Sequence, residues 1–233
     1  FLKYGQRRLM KKYKLFVACD TTSLTKIKKI LDQTKKIDLV IGYKFGLEFL
    51  NSKNGRNFVK KLKNKVTFGD YKFCDIPNTC VSALKAVKDL NFNYITIHLS
   101  SGLDALKAVK KIAGGTKIVG VSVLTSLNNK SLSEIGYKKN LKSLVIHQAS
   151  LAKKANLDAI VCSPKEVRDV RKIFKKEIIT PGIRLSGDKA KDQKRITTPK
   201  KAFKNGATSI VIGRSITKGN IKKNIQKLIN SLN

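Results

Sequence analysis

Short apolar runs alternate with amphipathic segments along this chain, and this alternation constrains the fold more than any other feature of the sequence. The apolar runs are rich in Val and Ile and have the length of strands, whereas the segments after them show helical periodicity. The runs predicted to be strands cover residues 14–20, 39–44, 65–72, 94–99, 117–124, 159–163, 177–184 and 209–214. The predicted helices cover residues 23–34, 47–62, 79–90, 102–112, 140–155, 164–174, 199–205 and 216–229.

This repetition of a strand followed by a helix predicts an α/β protein whose parallel strands close into a (β/α)8 (TIM) barrel. The strands are almost continuously hydrophobic, as is typical of a parallel sheet that is buried on both faces. An open, doubly wound sheet is the alternative, but it offers no reason for so regular a repetition. Because no linker or low-complexity stretch divides the chain, we predict a single barrel domain at 14–233, preceded by an N-terminal extension at 1–13.

The chain is strongly basic, with 50 Lys and Arg against 15 Asp and Glu and a net charge of +35. Such a charge can indicate nucleic-acid binding. Here, however, the lysines are spread over the solvent faces of the predicted helices, without a basic tail or an aromatic-basic pattern. The chain is also rich in Ile and Asn, which AT-rich codons specify as they do Lys, so genome composition explains the charge better than a nucleic-acid partner. The field would still attract anionic substrates.

The remaining composition argues against several other classes of protein. The 4 cysteines are scattered without a C-x-x-C pair, and with only 2 histidines a zinc site is not expected. No apolar run approaches the roughly 18 residues needed to span a membrane, and no secretory signal is visible. We therefore expect reduced cysteines in a cytoplasmic protein that has no membrane partner.

The third predicted strand is followed by the pattern Asp70-x-Lys72-x-x-Asp75. Asp70 and Lys72 are two residues apart, so on a strand they project to the same face, whereas Asp75 lies beyond the strand end. Ile76 and Pro77 then resemble the start of a helix. Neighbouring carboxylates favour the charged form of a lysine, which could then serve as a proton donor. The alternative interpretation of such a pattern is an ordinary surface salt bridge.

Polar residues close most of the other predicted strands as well. In a (β/α)8 barrel the functional residues lie at the C-terminal ends of the strands, on one face of the molecule. The residues at these positions are Asp20, Lys44, Asp70, Lys72, His98, Thr125, Ser126, Ser163, Arg184, Gly213 and Arg214. Several charges would thus converge on one mouth of the barrel. A solvent-exposed loop start could explain any one of these residues, but it explains the whole set poorly.

Four motifs, in this order, resemble the orotidine 5'-phosphate decarboxylase family. They are Val-Ala-Cys-Asp at 17–20, the signature at 70–79, Val-Leu-Thr-Ser at 123–126, and Thr-Pro-Gly-Ile-Arg at 180–184 with its continuations at 192–195 and 206–214. The resemblance extends over nearly the whole chain from about residue 14. The pairs Thr125-Ser126 and Asp192-Gln193 resemble the residues of the bacterial members of the family at these positions.

The resemblance implies decarboxylation of orotidine 5'-monophosphate to UMP and CO2, without a cofactor or a metal, in de novo pyrimidine biosynthesis. By similarity, Lys72 protonates the carbanion left at C6 of the pyrimidine. Asp70 lies beside the departing carboxylate and orients Lys72. Lys44 completes an alternating array of charges and contacts the ribose, and Asp20 binds a ribose hydroxyl.

The resemblance also implies a homodimer with shared sites, in which Asp75 and Thr79 reach the ribose bound by the neighbouring subunit. The remaining family positions are substrate contacts. Phosphate binding is expected after the last two strands, and the pyrimidine edge faces Thr125. The residues implied in these contacts are Thr125, Ser126, Arg184, Gln193, Gly213 and Arg214. Residues 185–195, which include Gln193, have the length and polarity of a closing lid.

Some residues depart from the family pattern, and one related activity remains an alternative. Gly69, Tyr71 and Cys74 stand where Leu, Leu and His are usual in the family, and Cys74 thus replaces an imidazole near the dimer interface that the resemblance implies. The alternative is a Mg2+-dependent sugar-phosphate decarboxylase or aldolase of the same superfamily. Those enzymes share the D-x-K-x-x-D core but lack the Gln-bearing lid.

Overall fold

Parallel strands close into a barrel in the computed structural model, which describes residues 13–35, 37, 39–185 and 197–232. The strands are β1 (Lys14–Ala18), β2 (Val40–Phe45), β3 (Val66–Phe73), β4 (Tyr94–His98), β5 (Lys117–Val121), β6 (Ala159–Val161), β7 (Glu177–Thr180) and β8 (Ser209–Ile212). Each strand pairs in parallel with the next, and β8 pairs with β1. The predicted (β/α)8 barrel is confirmed. The predicted extension falls almost entirely on residues 1–12, outside the described residues, and stays a prediction.

Helices follow the strands, and several of them differ from the predicted ones. The helices of the described residues are α1 (Leu24–Thr34), α2 (Leu47–Leu50), α3 (Gly55–Lys60), α4 (Pro77–Ala86), α5 (Gly102–Ile112), α6 (Asn129–Glu134), α7 (Leu141–Lys154), α8 (Val167–Ile173), α9 (Pro199–Lys204), α10 (Arg214–Thr217) and α11 (Ile221–Leu232). The predicted helix 47–62 is two helices, because the chain turns and packs Gly55 against the carbonyl oxygen of Phe49. A Cβ atom at Gly55 would lie 1.9 Å from that oxygen. Helix α6 was not predicted, and the side chain of Asn128 caps it. In the part of the chain that the structure describes, no helix has both the length and the apolar character needed to cross a membrane.

Alternate residues of each strand divide the core into two layers. Leu15 and Val17 of β1 point outward to the helices, whereas Phe16 and Ala18 point into the barrel. Inside the barrel, the Phe16 ring meets the rings of Phe68 and Tyr94 edge to face, with centroids 5.1 and 5.2 Å apart. This apolar plug fills the lower barrel, beneath the C-terminal mouth at which barrel enzymes bind their ligands.

An ionic network lies at the opposite end of the barrel, beneath the plug. Glu177, at the start of β7, accepts hydrogen bonds from Lys117 and from the Tyr94 hydroxyl and lies 3.5 Å from Lys14 Nζ. The Lys14 ammonium also lies 4.4 Å from the centroid of the Tyr94 ring. Burial raises the pKa of Glu177, but Lys117 and Lys14 outweigh this effect, so the pKa lies below its ordinary value. The carboxylate therefore links strands that are distant in sequence.

We expect Glu177→Gln to lower the free energy of unfolding by about 1–3 kcal/mol, because the partly buried Lys14 ammonium and the more exposed Lys117 ammonium would lose their carboxylate. The C-terminal mouth should be unaffected, since the network lies at the opposite end of the barrel. Urea unfolding measures the first effect. Glu134→Gln is the matched control, because Glu134 is 61% exposed and forms only a surface pair with Lys130 at 4.0 Å. Equal stability of the two variants would contradict the proposed contribution of the network.

Candidate active site

A cavity of about 230 Å3 opens at the C-terminal ends of the strands. Its lower wall is apolar and includes Phe68, Val121 and Val211. Its upper wall is polar and is built from predicted site residues, each at or just beyond a strand end. The predicted residues that line it are Asp20, Lys44, Asp70, Lys72, Thr125, Arg184 and Gly213. An apolar floor beneath converging charges suits a small, partly aromatic anion.

Four of these side chains form a continuous chain of ion pairs, which we call the charge chain. Its members, in order, are Asp20, Lys44, Asp70 and Lys72. Lys44 Nζ lies 3.2 Å from Asp20 Oδ1 and 3.2 Å from Asp70 Oδ2. Lys72 Nζ donates to Asp70 Oδ2 at 2.8 Å. The charges alternate in sign, so each inner member is neutralised from both sides.

Exposure rises toward both ends of the charge chain. The side chains of Lys44 and Asp70 are 12% exposed, compared with 32% for Lys72 and 57% for Asp20. Burial raises the pKa of Asp70, but the charges of Lys44 and Lys72 outweigh it, and the pKa lies below its ordinary value. Burial lowers the pKa of Lys44, but Asp70 and Asp20 outweigh that effect, and the pKa is raised. Both inner members are therefore ionised at neutral pH.

The backbone of β3 departs from a regular strand where it carries Asp70 and Lys72. Gly69 pairs with Ile95 of β4, and the next pair in the register is Phe73 with Ile97. Residues 70–72 of β3 thus face a single residue of β4, Thr96, and Lys72 takes a left-handed φ of 52°. The predicted proximity of Asp70 and Lys72 is found, but a bulge produces it rather than simple alternation.

Thr96 and Gly46, which adjoin the charge chain, were not predicted from the sequence. Thr96 is fully buried, and its hydroxyl donates to Asp70 Oδ1 at 3.1 Å. Gly46 follows β2, and a Cβ atom there would lie 3.2 Å from Asp20 Oδ1 and 3.3 Å from Lys44 Nζ. The sequence carries a signal for Thr96, because it is a polar residue at an inward position between Tyr94 and His98. No comparable signal marks Gly46.

Other predicted residues do not line the cavity. Ser126 is exposed beyond β5. Arg214 lines a neighbouring groove with Lys26, Lys29 and Lys218, and this groove meets the cavity at Asp20. Gln193 and most of the predicted lid lie outside the described residues.

Asp75 and Thr79 are exposed at the start of α4 and are also absent from the cavity wall. Asp75 Oδ1 accepts a hydrogen bond from the Ile76 N–H at 2.7 Å, and Pro77 occupies the first turn of α4. The predicted strand end and helix start in this segment are therefore found.

The buried thiol beside the charge chain is not a reactive group. Cys19 is fully buried next to Asp20, and burial raises its pKa to about 12, with Asp20 adding to the effect. The thiol therefore stays protonated at neutral pH and packs as a small apolar side chain.

A closed parallel barrel with charged side chains at the carboxyl ends of its strands is the arrangement of the (β/α)8 barrel enzymes. The family model described as "Orotidine 5'-phosphate decarboxylase / HUMPS family" matches residues 13–227, and the chain belongs to this family. The orotidine 5'-phosphate decarboxylase of Wolbachia sp. subsp. Brugia malayi is 42% identical over 221 residues, which cover 92% of this chain and 96% of that protein.

Solved structures agree with this placement. The crystal structure of orotidine 5'-phosphate decarboxylase from Lactobacillus acidophilus matches with a TM-score of 0.80 and 29% identity, covering 95% of this chain and 99% of that one. The orotidine 5'-monophosphate decarboxylase of Methanocaldococcus jannaschii, complexed with the inhibitor BMP, matches with a TM-score of 0.76 and 25% identity, covering 95% of this chain and 99% of that one. The resemblance inferred from the four motifs is confirmed.

Proposed function

We propose that this protein decarboxylates orotidine 5'-monophosphate to UMP and CO2, a step of de novo pyrimidine biosynthesis, without a cofactor. The observation that carries the proposal is the charge chain at the mouth of the barrel. The names of the relatives that match nearly the whole chain support it. In our proposal the site holds an anionic substrate and places the Lys72 amino group beside it.

The chemistry requires one positive charge and one proton at the reacting carbon. When the bond between C6 and the carboxylate breaks, CO2 leaves and the electron pair stays on C6. In our proposal the Lys72 ammonium stabilises this developing charge and then donates a proton to C6. Asp70, bonded to Lys72 Nζ at 2.8 Å, holds the ammonium in place and lies beside the departing carboxylate.

The rest of the cavity wall would hold the nucleotide around this centre. Lys44, Asp20 and Thr125 line the cavity. In our proposal Lys44 and Asp20 contact ribose hydroxyls, and Thr125 faces the pyrimidine edge. The phosphate would be held after the last two strands, in line with the usual phosphate site of barrel enzymes. The remaining proposed substrate contacts are Ser126, Arg184, Gln193, Gly213 and Arg214.

We further propose a cytoplasmic homodimer in which Asp75 and Thr79 complete the site of the partner subunit. Both side chains are exposed and lie outside their own cavity, as this role requires. Ile76, between them, is 65% exposed, which is unusual for so large an apolar side chain and suits a covered interface.

The test of the proposed function is the ultraviolet absorbance of orotidine 5'-monophosphate mixed with the purified protein in the presence of EDTA. We expect the substrate absorbance to fall as the substrate is converted. The rate of this fall should be the same with and without EDTA. A protein that leaves orotidine 5'-monophosphate intact, with EDTA or with added Mg2+, would contradict the proposal. Mg2+-dependent turnover of a hexulose phosphate would then support the sugar-phosphate activity of the same superfamily.

A further inference from the structure

The bulge in β3 leaves the backbone of the catalytic segment outside the regular ladder, so something else must hold it. A buried N–H group needs an acceptor, and within a sheet this acceptor is normally a carbonyl oxygen of the neighbouring strand. Lys72 N–H instead donates to the hydroxyl oxygen of Thr96 at 2.7 Å. This bond anchors a non-glycine residue with a φ of 52°, a conformation that residues with a side chain rarely adopt.

The same hydroxyl also fixes the carboxylate between the two lysines. Thr96 Oγ1 donates to Asp70 Oδ1 at 3.1 Å, whereas Lys44 and Lys72 share the other oxygen, Oδ2. Since a hydroxyl has one proton, the bond to Asp70 uses its whole donor capacity. Thr96 is fully buried, so neither bond competes with bulk water.

We infer that Thr96 is a positioning residue of the decarboxylation, whose single hydroxyl sets both the backbone of Lys72 and the orientation of Asp70. The inference rests on the proposed function. Thr96 acts through these two residues, because it does not line the cavity and therefore does not contact a substrate there. The bulge sets the direction of the Lys72 side chain, and the Thr96 hydroxyl holds the bulge in one geometry.

The test compares two variants of Thr96 with a matched control. Thr96→Val keeps the shape and removes the hydroxyl, whereas Thr96→Ser keeps the hydroxyl. Thr67→Val is the control, because Thr67 is a buried threonine near the start of β3 whose hydroxyl bonds to Asn93 at 3.3 Å rather than to a member of the charge chain. The quantities measured are kcat for orotidine 5'-monophosphate and the dissociation constant of UMP, at a temperature at which circular dichroism shows all variants folded.

We expect Thr96→Val to lower kcat by about 10- to 100-fold, the loss of a hydrogen bond to a charged group, while UMP affinity changes by less than about threefold. Thr96→Ser and Thr67→Val should keep kcat within about threefold of the wild-type value. If the wild-type protein is active and the Thr96→Val variant has an unchanged kcat, the inference about Thr96 is overturned and the proposed function is not. The inference alone would also be overturned if Thr96→Val and Thr96→Ser lower kcat equally, or if Thr96→Val lowers only the affinity for UMP. A wild-type protein that does not turn over the substrate overturns the proposed function, and the inference with it.

Discussion

Lys72→Ala should abolish decarboxylation while leaving the barrel folded. The substitution removes both the proton donor and the positive charge beside C6, so kcat should fall by on the order of 10^4-fold or more. Asp70 would remain compensated, because Lys44 Nζ still lies 3.2 Å from its Oδ2. The affinity for UMP should therefore change far less than kcat, since ribose and phosphate contacts stay in place. Turnover of orotidine 5'-monophosphate and titration with UMP measure the two quantities.

A second variant separates the charge of Lys72 from its proton. Lys72→Arg keeps a positive group beside Asp70, but a guanidinium does not give up a proton at neutral pH. If proton donation matters, the Arg variant should be almost as inactive as the Ala variant. Lys85→Ala, at an exposed position on α4, is the control for a lost positive charge and should keep full activity. A Lys72→Ala variant that retains more than about 1% of the wild-type kcat would place the proton donor elsewhere.

The architecture of this chain could be predicted because its signals are local. A strand that is buried on both faces is a run of Val and Ile. The amphipathic segment after it is recognised by the helical spacing of its apolar residues. The bounds are less predictable, because they depend on where the chain must turn. The predicted strand 177–184 ends at Thr180, directly before Pro181, and the predicted helix 216–229 is interrupted near Gly219, which has a φ of 72°.

The geometry of the site could be predicted only in part, because it depends on the register between strands. The pattern Asp70-x-Lys72 indicates two charges that meet, and the structure brings their atoms within 2.8 Å. Nothing in the local pattern shows that β3 bulges against β4, because the register depends on side chains more than twenty residues away. Thr96 acquires its role only through that register. The same holds for Gly46, whose missing side chain leaves room for the pair of Lys44 and Asp20.

Asp70→Asn should lower kcat by about 10^2- to 10^3-fold, because Lys72 would lose the carboxylate that orients it beside the reacting carbon. An amide keeps the size of the side chain and can still accept the hydrogen bond from Thr96, so the barrel should remain folded. Asp104→Asn removes an exposed carboxylate in the first turn of α5 and serves as the control, with kcat near the wild-type value. Wild-type turnover by Asp70→Asn would contradict the orienting role.

The same variant should also lose stability in a way that depends on pH. The pKa of Asp70 is lower in the folded protein than its ordinary value, because Lys44 and Lys72 outweigh the effect of burial. A carboxylate with a depressed pKa stabilises the fold above the unfolded-state pKa of about 3.9, and this contribution is lost as the pH falls through the folded-state pKa. The wild-type protein should thus exceed Asp70→Asn in free energy of unfolding by about 2–4 kcal/mol at pH 7, since the substitution leaves the partly buried ammonium groups of Lys44 and Lys72 without their shared carboxylate. The difference should shrink progressively below about pH 4, because the protonated acid resembles the amide. Urea unfolding of both proteins across this range measures it, and a difference that stays constant down to pH 3 would show that the charge of Asp70 is not its source.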